Sequence, residues 1–281
     1  MYRLVNYVLI FAVIYLFVLE GSESDHVRIL TGLLLALLAS YISFFGNWIT
    51  LDAIKAVVIY GTIIFGLGGF WLAVASVLFF VTSNLLSRRS RLSREQKRGN
   101  LSRRIYRVNR RDGYQILANG FWTIVFAIGW FLTSEPSFLL ASFVSVAVAC
   151  ADTWSTEIGT VKPGKTVNII SLIPVRPGSD GGVSLKGTVS AAAGSLLISV
   201  TILFSGLPSP LLLLFLVLFF GFFGAVLDSY LGALISEKKP ALKIPGDFSG
   251  NYSAFANSLV NWSSAGVSSI LALILTKLIL S

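Results

Sequence analysis

With one cysteine, Cys150, and one histidine, His26, in 281 residues, the chain cannot build a disulfide framework, or a thiolate or imidazole metal site, from its own residues. Any metal it holds must rest on oxygen ligands. Charge is scarce as well. Charged residues make up 12% of the chain, roughly half the share found in an ordinary soluble domain. A water-soluble fold of this length could not hide a composition that is 55% hydrophobic.

The apolar residues fall in blocks of roughly 17 to 25, the length that crosses about 30 Å of hydrocarbon as a helix. Residues 2–19 have the length of a signal peptide, but no small-residue cleavage site precedes the polar stretch 20–25 and further spans follow, so they count as the first span. Apolar blocks between polar breaks predict nine spans, beginning near Tyr2, Val27, Thr50, Phe70, Tyr114, Ser137, Lys186, Pro210 and Phe255. The run 51–86 lacks a charged break. Gly66, Gly68 and Gly69 divide it, because clustered glycines favour a turn over a continuing helix. The expected fold is an all-α integral membrane protein, a polytopic bundle of about nine transmembrane helices forming a single domain over residues 1–281.

Eleven of the 22 Lys and Arg residues lie from Arg88 to Arg111, where Glu95 is the only acid. The positive-inside rule places this basic loop, 87–111, in the cytoplasm. Counting spans outward puts Arg3, the glycine-rich loop 160–186 and the stretch 238–243 inside, with the acidic stretch 20–25 and Glu135 outside. Only Arg28 and Lys277 are basic and external, which gives an N-in, C-out topology. The net charge of +9 therefore points to topology and to anionic lipid head groups, not to nucleic acid.

An ionised carboxylate at mid-bilayer costs about 2.5 to 3.5 kcal/mol on insertion scales, so acids in or beside spans are functional candidates. Four regions qualify. In Arg111-Asp112-Gly113-Tyr114-Gln115, continuing to Asn119, the residues Asp112, Gln115 and Asn119 share one helical face. A helix cap with interhelical hydrogen bonds explains that stripe as well as a binding site does. In Ala151-Asp152-Thr153-Trp154-Ser155-Thr156-Glu157, two acids crowd an apolar boundary, about 140° apart around an ideal helix. They need not share a metal, but they can face one cavity from its edges. Oxygen ligands of this kind suit Mg²⁺, which keeps several waters and is completed by substrate phosphates.

The third region, Pro177-Gly178-Ser179-Asp180-Gly181-Gly182-Val183-Ser184-Leu185-Lys186, offers backbone N–H groups and a following helix start to an anion, with Lys186 adding charge. A plain connector fits it equally well. The fourth pairs Asp228, in Gly224-xxx-Asp228-xxx-Gly232, with a Ser/Asn stripe on the last span that includes Asn257 and Asn261. Packing explains the stripe. It does not explain Asp228, which follows a long uncharged run.

Acids for Mg²⁺, an anion loop and scattered basic residues on the side where nucleotides are found suit phosphoryl transfer, which needs positioning and charge neutralisation above all. The membrane setting points to a lipid acceptor. The competing class is a secondary transporter or ion-coupled channel, whose intramembrane acids would bind coupling ions near the midplane.

The blocks Arg111-Asp112-Gly-Tyr-Gln115-Ile-Leu-Ala-Asn119-Gly120, Ala151-Asp152-Thr-Trp-Ser-Thr-Glu157-Ile-Gly159, Gly178-Ser-Asp-Gly181-Gly182-Val-Ser184-Leu-Lys-Gly187-Thr188 and Asp228-Ser229-Tyr-Leu-Gly232-Ala resemble, in order, those of the transmembrane protein 19 family, a domain of unknown function that includes plant phytyl-phosphate kinase. The resemblance spans most of the chain from about Leu51 onward. It implies a kinase that converts an isoprenoid monophosphate, phytyl, geranylgeranyl or similar, to the diphosphate using a nucleoside triphosphate, CTP being favoured, and Mg²⁺. It also implies metal or catalytic roles for Asp152, Glu157 and Asp228, and a phosphate-binding role for the Gly178 to Thr188 segment. One departure is Asp180, where a small polar residue such as Asn is expected and where an acid suits a bare phosphate cradle poorly. A nucleotidyl or phosphatidyl transferase of the CDP-lipid type is a second enzymatic alternative.

Overall fold

The computed structural model describes residues 2–98, 110–161, 164–238 and 249–280. Much of the basic loop and of the stretch 238–243 lies outside the described residues, and so does Lys162. The described residues form nine α-helices: α1 (Tyr2–Tyr15), α2 (Glu23–Phe45), α3 (Ala53–Gly66), α4 (Phe70–Arg98), α5 (Gly113–Thr133), α6 (Pro136–Gly159), α7 (Leu185–Thr201), α8 (Pro210–Lys238) and α9 (Ser249–Leu280). A short antiparallel ribbon, β1 (Thr166–Asn168) and β2 (Gly182–Ser184), joins α6 to α7. The starts fall within a few residues of those expected from apolar blocks alone.

Seven of these helices are long and apolar enough to cross a membrane. The other two of the nine expected spans, the stretch Leu4–Glu20, whose last five residues are π-helical, and α3, are shorter apolar helices. At 1.5 Å per residue the 14 residues of α3 reach about 21 Å, short of the hydrocarbon thickness. The run 51–86 breaks at the expected glycines: a turn at residues 67–69, with Gly69 at φ +89°, separates α3 from α4.

α6 is the hub. It packs against α4, α5, α7, α8 and α9, and 78% of its apolar stretch is buried, against 28% of α2 at the periphery. Small residues make this possible. A side chain at Gly221 would collide with Ala147 and Ser195, and one at Gly224 with Val148 and Ser268, so α8 meets α6, α7 and α9 almost backbone to backbone. Exposed Leu34, Leu38, Tyr41 and Ile42 on α2, and Phe215 and Phe219 on α8, form part of the apolar outer surface.

The chain turns collect at two ends. At one end Thr50 N–H donates to the Arg111 carbonyl, and Arg111 N–H to that of Trp48, both at 3.0 Å, clamping the α2–α3 turn to the start of α5. The C-terminus of α6 and the ribbon lie at this end too. At the other, Lys277 of α9 pairs with Glu135 between α5 and α6 at 3.4 Å, and Trp71 at the start of α4 stacks on Phe204 after α7.

Candidate active site

A cavity of about 480 Å³ opens among α5, α6, α7, α8, α9 and the ribbon. Its size falls within the range of small-molecule sites, roughly 300 to 1,000 Å³. Asp152 from α6 and Asp228 from α8 line it, close enough for their carboxyls to interact by a hydrogen bond. Ser264 of α9 donates to Asp228 Oδ1 at 3.1 Å. With its amide nitrogen turned to the carboxylate, Asn261 donates to the same oxygen at 2.9 Å and to the Asn257 carbonyl at 3.0 Å, leaving its amide oxygen 3.2 Å from the Asn119 side chain. Four helices thus meet in one polar chain: Asn119, Asn261, Asp228 and Asp152.

A second group lies elsewhere on the cavity wall. Ser87 of α4 donates to Glu157 at 2.7 Å. The Arg111 guanidinium, over the rings of Phe79 at 5.3 Å and Phe80 at 5.9 Å, feels the Glu157 charge. Burial lowers the Arg111 pKa and Glu157 opposes that shift, yet a guanidinium keeps its charge in proteins. The three acids named from sequence therefore do not gather at one point. No group of three or more acids, histidines or cysteines suited to a metal occurs among the described residues. The helical offset between Asp152 and Glu157 is the cause: they face the same cavity from separate walls.

The glycine-rich segment forms the rim. Gly178, Ser179, Asp180, Gly181, Gly182 and Ser184 all line the cavity. Gly181 has φ +72°, and a Cβ there would lie 2.3 Å from that of Ala233, so the absent side chain lets the ribbon seat on α8. Ser184 caps α7 by accepting Gly187 N–H at 3.2 Å, which uses one of the helix-start donors.

Two sequence candidates are placed away from the cavity. Asp112 accepts Gln115 N–H at 2.8 Å while Gln115 Oε1 accepts Asp112 N–H at 3.3 Å, a capping box that starts α5. The cap interpretation applies to Asp112, whereas Gln115 and Asn119 line the cavity. Lys186 does not line it either and donates to the Val161 carbonyl. Conversely, Ser87, Ser229 and Thr166 line it without having been singled out, and Ser264 holds Asp228. A lone hydroxyl in an apolar helix carries no sequence signal that separates packing from a site.

The integral membrane protein DUF92 family model matches residues 34–269, which include every cavity residue named above. This chain belongs to the DUF92 family. Protein PGR of Arabidopsis thaliana is 28% identical over 191 residues, covering 59% of this chain and 65% of the relative. The uncharacterized membrane protein MJ0933 of Methanocaldococcus jannaschii is 28% identical over 148 residues, 50% of this chain and 56% of the relative. The chain thus spans less than two thirds of either curated relative. No solved structure matches this DUF92 protein.

The carboxylates of Asp152 and Asp228, both half-buried on the cavity wall, with serine hydroxyl and amide groups around them, are a hard-oxygen set. Two such carboxylates suit Mg²⁺, which takes one or two from protein and the rest from water and phosphate. Without a cation or a shared proton the pair would be held together against like-charge repulsion.

Proposed function

We propose that this DUF92 protein is a membrane kinase that moves the terminal phosphoryl group of a nucleoside triphosphate to an isoprenoid monophosphate. The observation that carries this reading is the cavity itself, which joins the Asp152–Asp228 pair, Arg111 and a glycine-rich rim inside a bundle of apolar helices. In the reaction an oxygen of the acceptor phosphate attacks the γ-phosphorus. A P–O–P bond forms, the β–γ bond breaks, and the nucleoside diphosphate leaves with the bonding electrons. The attacking group is already an anionic phosphate, so no dedicated general base is required.

Mg²⁺ held by Asp152 and Asp228 would neutralise charge on the phosphates. Asn261 and Ser264 fix the Asp228 carboxylate in place by hydrogen bonds. Arg111 supplies a fixed cation at the Glu157 side of the cavity, where it can meet phosphate oxygens with its planar fork. Within the rim, Ser179 and Gly182 N–H donate to the Arg176 and Ser179 carbonyls, so a phosphate would draw on the remaining backbone N–H groups of the turn. The fold leaves the covalent chemistry to the substrates and contributes placement and charge, as phosphoryl transfer demands.

The test is turnover by purified protein across phytyl, geranylgeranyl and shorter prenyl phosphates with CTP, ATP, GTP and UTP plus Mg²⁺. Formation of prenyl diphosphate and nucleoside diphosphate is expected, with CTP the favoured donor. Release of pyrophosphate or a nucleoside monophosphate would replace the kinase by a CDP-lipid type transferase. Ion or solute movement in proteoliposomes without any turnover would replace it by a transporter.

A further inference from the structure

Part of the cavity lining is apolar and serves no phosphate. Along α8, Phe222, Ala225 and Val226 extend the lining away from Asp228, toward the Pro210 end of the helix and hence deeper into the bundle. Phe222 is six residues, about 9 Å, from Asp228. Facing them on α7 are Thr188 and Ala191. Ala151, Ala191 and Ala225 are buried together, with Phe222 packed against them. Ala191 and Ala225, backed by Ala151, thus make a floor of methyl groups on the lining, where larger side chains would fill the space.

This groove is bounded along α8. On the deep side Ser195 of α7 donates to the Leu218 carbonyl of α8 at 2.9 Å, closing the seam. On the shallow side Gly181 is pressed against Ala233. Between these two pins the cavity lining reaches the α7–α8 seam at the level of Ala225 to Ser229. Val226 stands at its outer rim, 37% exposed. The lining is continuous, from Asp228 and Ser229 to Ala225 and Ala191 and then to Val226.

We infer that the hydrocarbon chain of the acceptor lipid phosphate enters and lies through the α7–α8 seam, over the alanine floor and past Val226 into the bilayer. This rests on the kinase reading for the identity of the phosphate end, but the seam itself calls only for an apolar chain attached to an anionic head. A lipid phosphate can then reach the acids without leaving the membrane. Its chain exchanges one apolar setting for another, while the head gains the polar cavity.

A C20 alkyl phosphate bearing a chain diazirine, photolysed on the full protein in detergent and in vesicles, tests the inference. Labelling is expected on peptides carrying Thr188 to Ala191 and Phe222 to Val226. It should be displaced by plain C20 alkyl phosphate and not by the C20 alcohol. Labelling that ignores the competitor, or that follows general lipid exposure at Phe215 and on α2, overturns the seam. In kinetics, Val226→Trp at the rim should raise the ratio of acceptor KM values, C20 over C5, about ten-fold, equivalent to losing contact with roughly two methylenes. Val189→Trp, on an exposed α7 position outside the lining, should leave that ratio unchanged. An unchanged ratio in Val226→Trp also overturns it. Competable seam labelling without diphosphate formation removes the kinase reading and keeps the seam. Diphosphate formation with labelling elsewhere does the reverse.

Discussion

Asp228 illustrates how one residue gathers its neighbours. Alone on an apolar helix it would be costly. Donors from Ser264 and Asn261 hold it, while Asp152 stands opposite. Asp152→Asn and Asp228→Asn remove charge with little change in volume, so each should lower kcat by at least about 100-fold while the protein stays monodisperse in detergent. A variant with full turnover would remove its residue from the site. Arg111→Lys should raise the nucleotide KM about ten-fold, because an ammonium lacks both the planar fork and the stacking over Phe79 and Phe80. Steady-state kinetics at saturating acceptor checks this. At the clamp, burial raises the Asp52 pKa, but hydrogen bonds from Thr50 and from Gly113 N–H outweigh it and hold the carboxylate below its usual value. A depressed folded pKa stabilises above the unfolded value and is lost as pH falls through the folded one. Asp52→Asn should therefore lower Tm by about 1 to 2 °C at neutral pH, a small effect for a largely solvated group. The difference should fade below about pH 4 in thermal melts of the detergent-solubilised protein.

At the scale of elements, the seating of the ribbon on α8 decides whether the rim meets the acids. A methyl at Gly181 meets Ala233 head-on, and the positive φ adds strain for any L side chain. Gly181→Ala should cost about 1 to 3 kcal/mol of stability and reduce turnover more than ten-fold. Thermal melting and kinetics check the two parts. Helix positions were legible because apolar runs, the helix cap at Asp112 and the glycine break at 66–69 are local signals. The ribbon within the loop 160–186 was not. Three-residue strands have no periodicity to detect.

For the molecule as a whole, the site end carries the clamp, the rim and both acid groups, while the opposite end carries the Lys277–Glu135 pair. If the basic loop sets orientation, the cavity faces the cytoplasm. Cys150 is buried and free, so single-cysteine variants can be labelled against a quiet background. In sealed inside-out vesicles, Ser171→Cys should react with an impermeant maleimide and Ser134→Cys should not, the pattern reversing in right-side-out vesicles. The opposite result would invert the topology.

The amino-acid sequence by itself determined the membrane setting, the helices and the polar residues worth attention, since a hydrocarbon solvent penalises each unexplained polar group one residue at a time. It also narrowed any metal to oxygen ligands. Only the tertiary structure decided which of those residues meet. Asp152 joins Asp228, Asn261 and Asn119, Glu157 bonds Ser87 within the field of Arg111, and Asp112 and Lys186 are engaged elsewhere. The reason is angular. A helix presents each residue in a direction set by its position along the turn, and the neighbour it meets depends on crossings that small residues permit but do not encode locally.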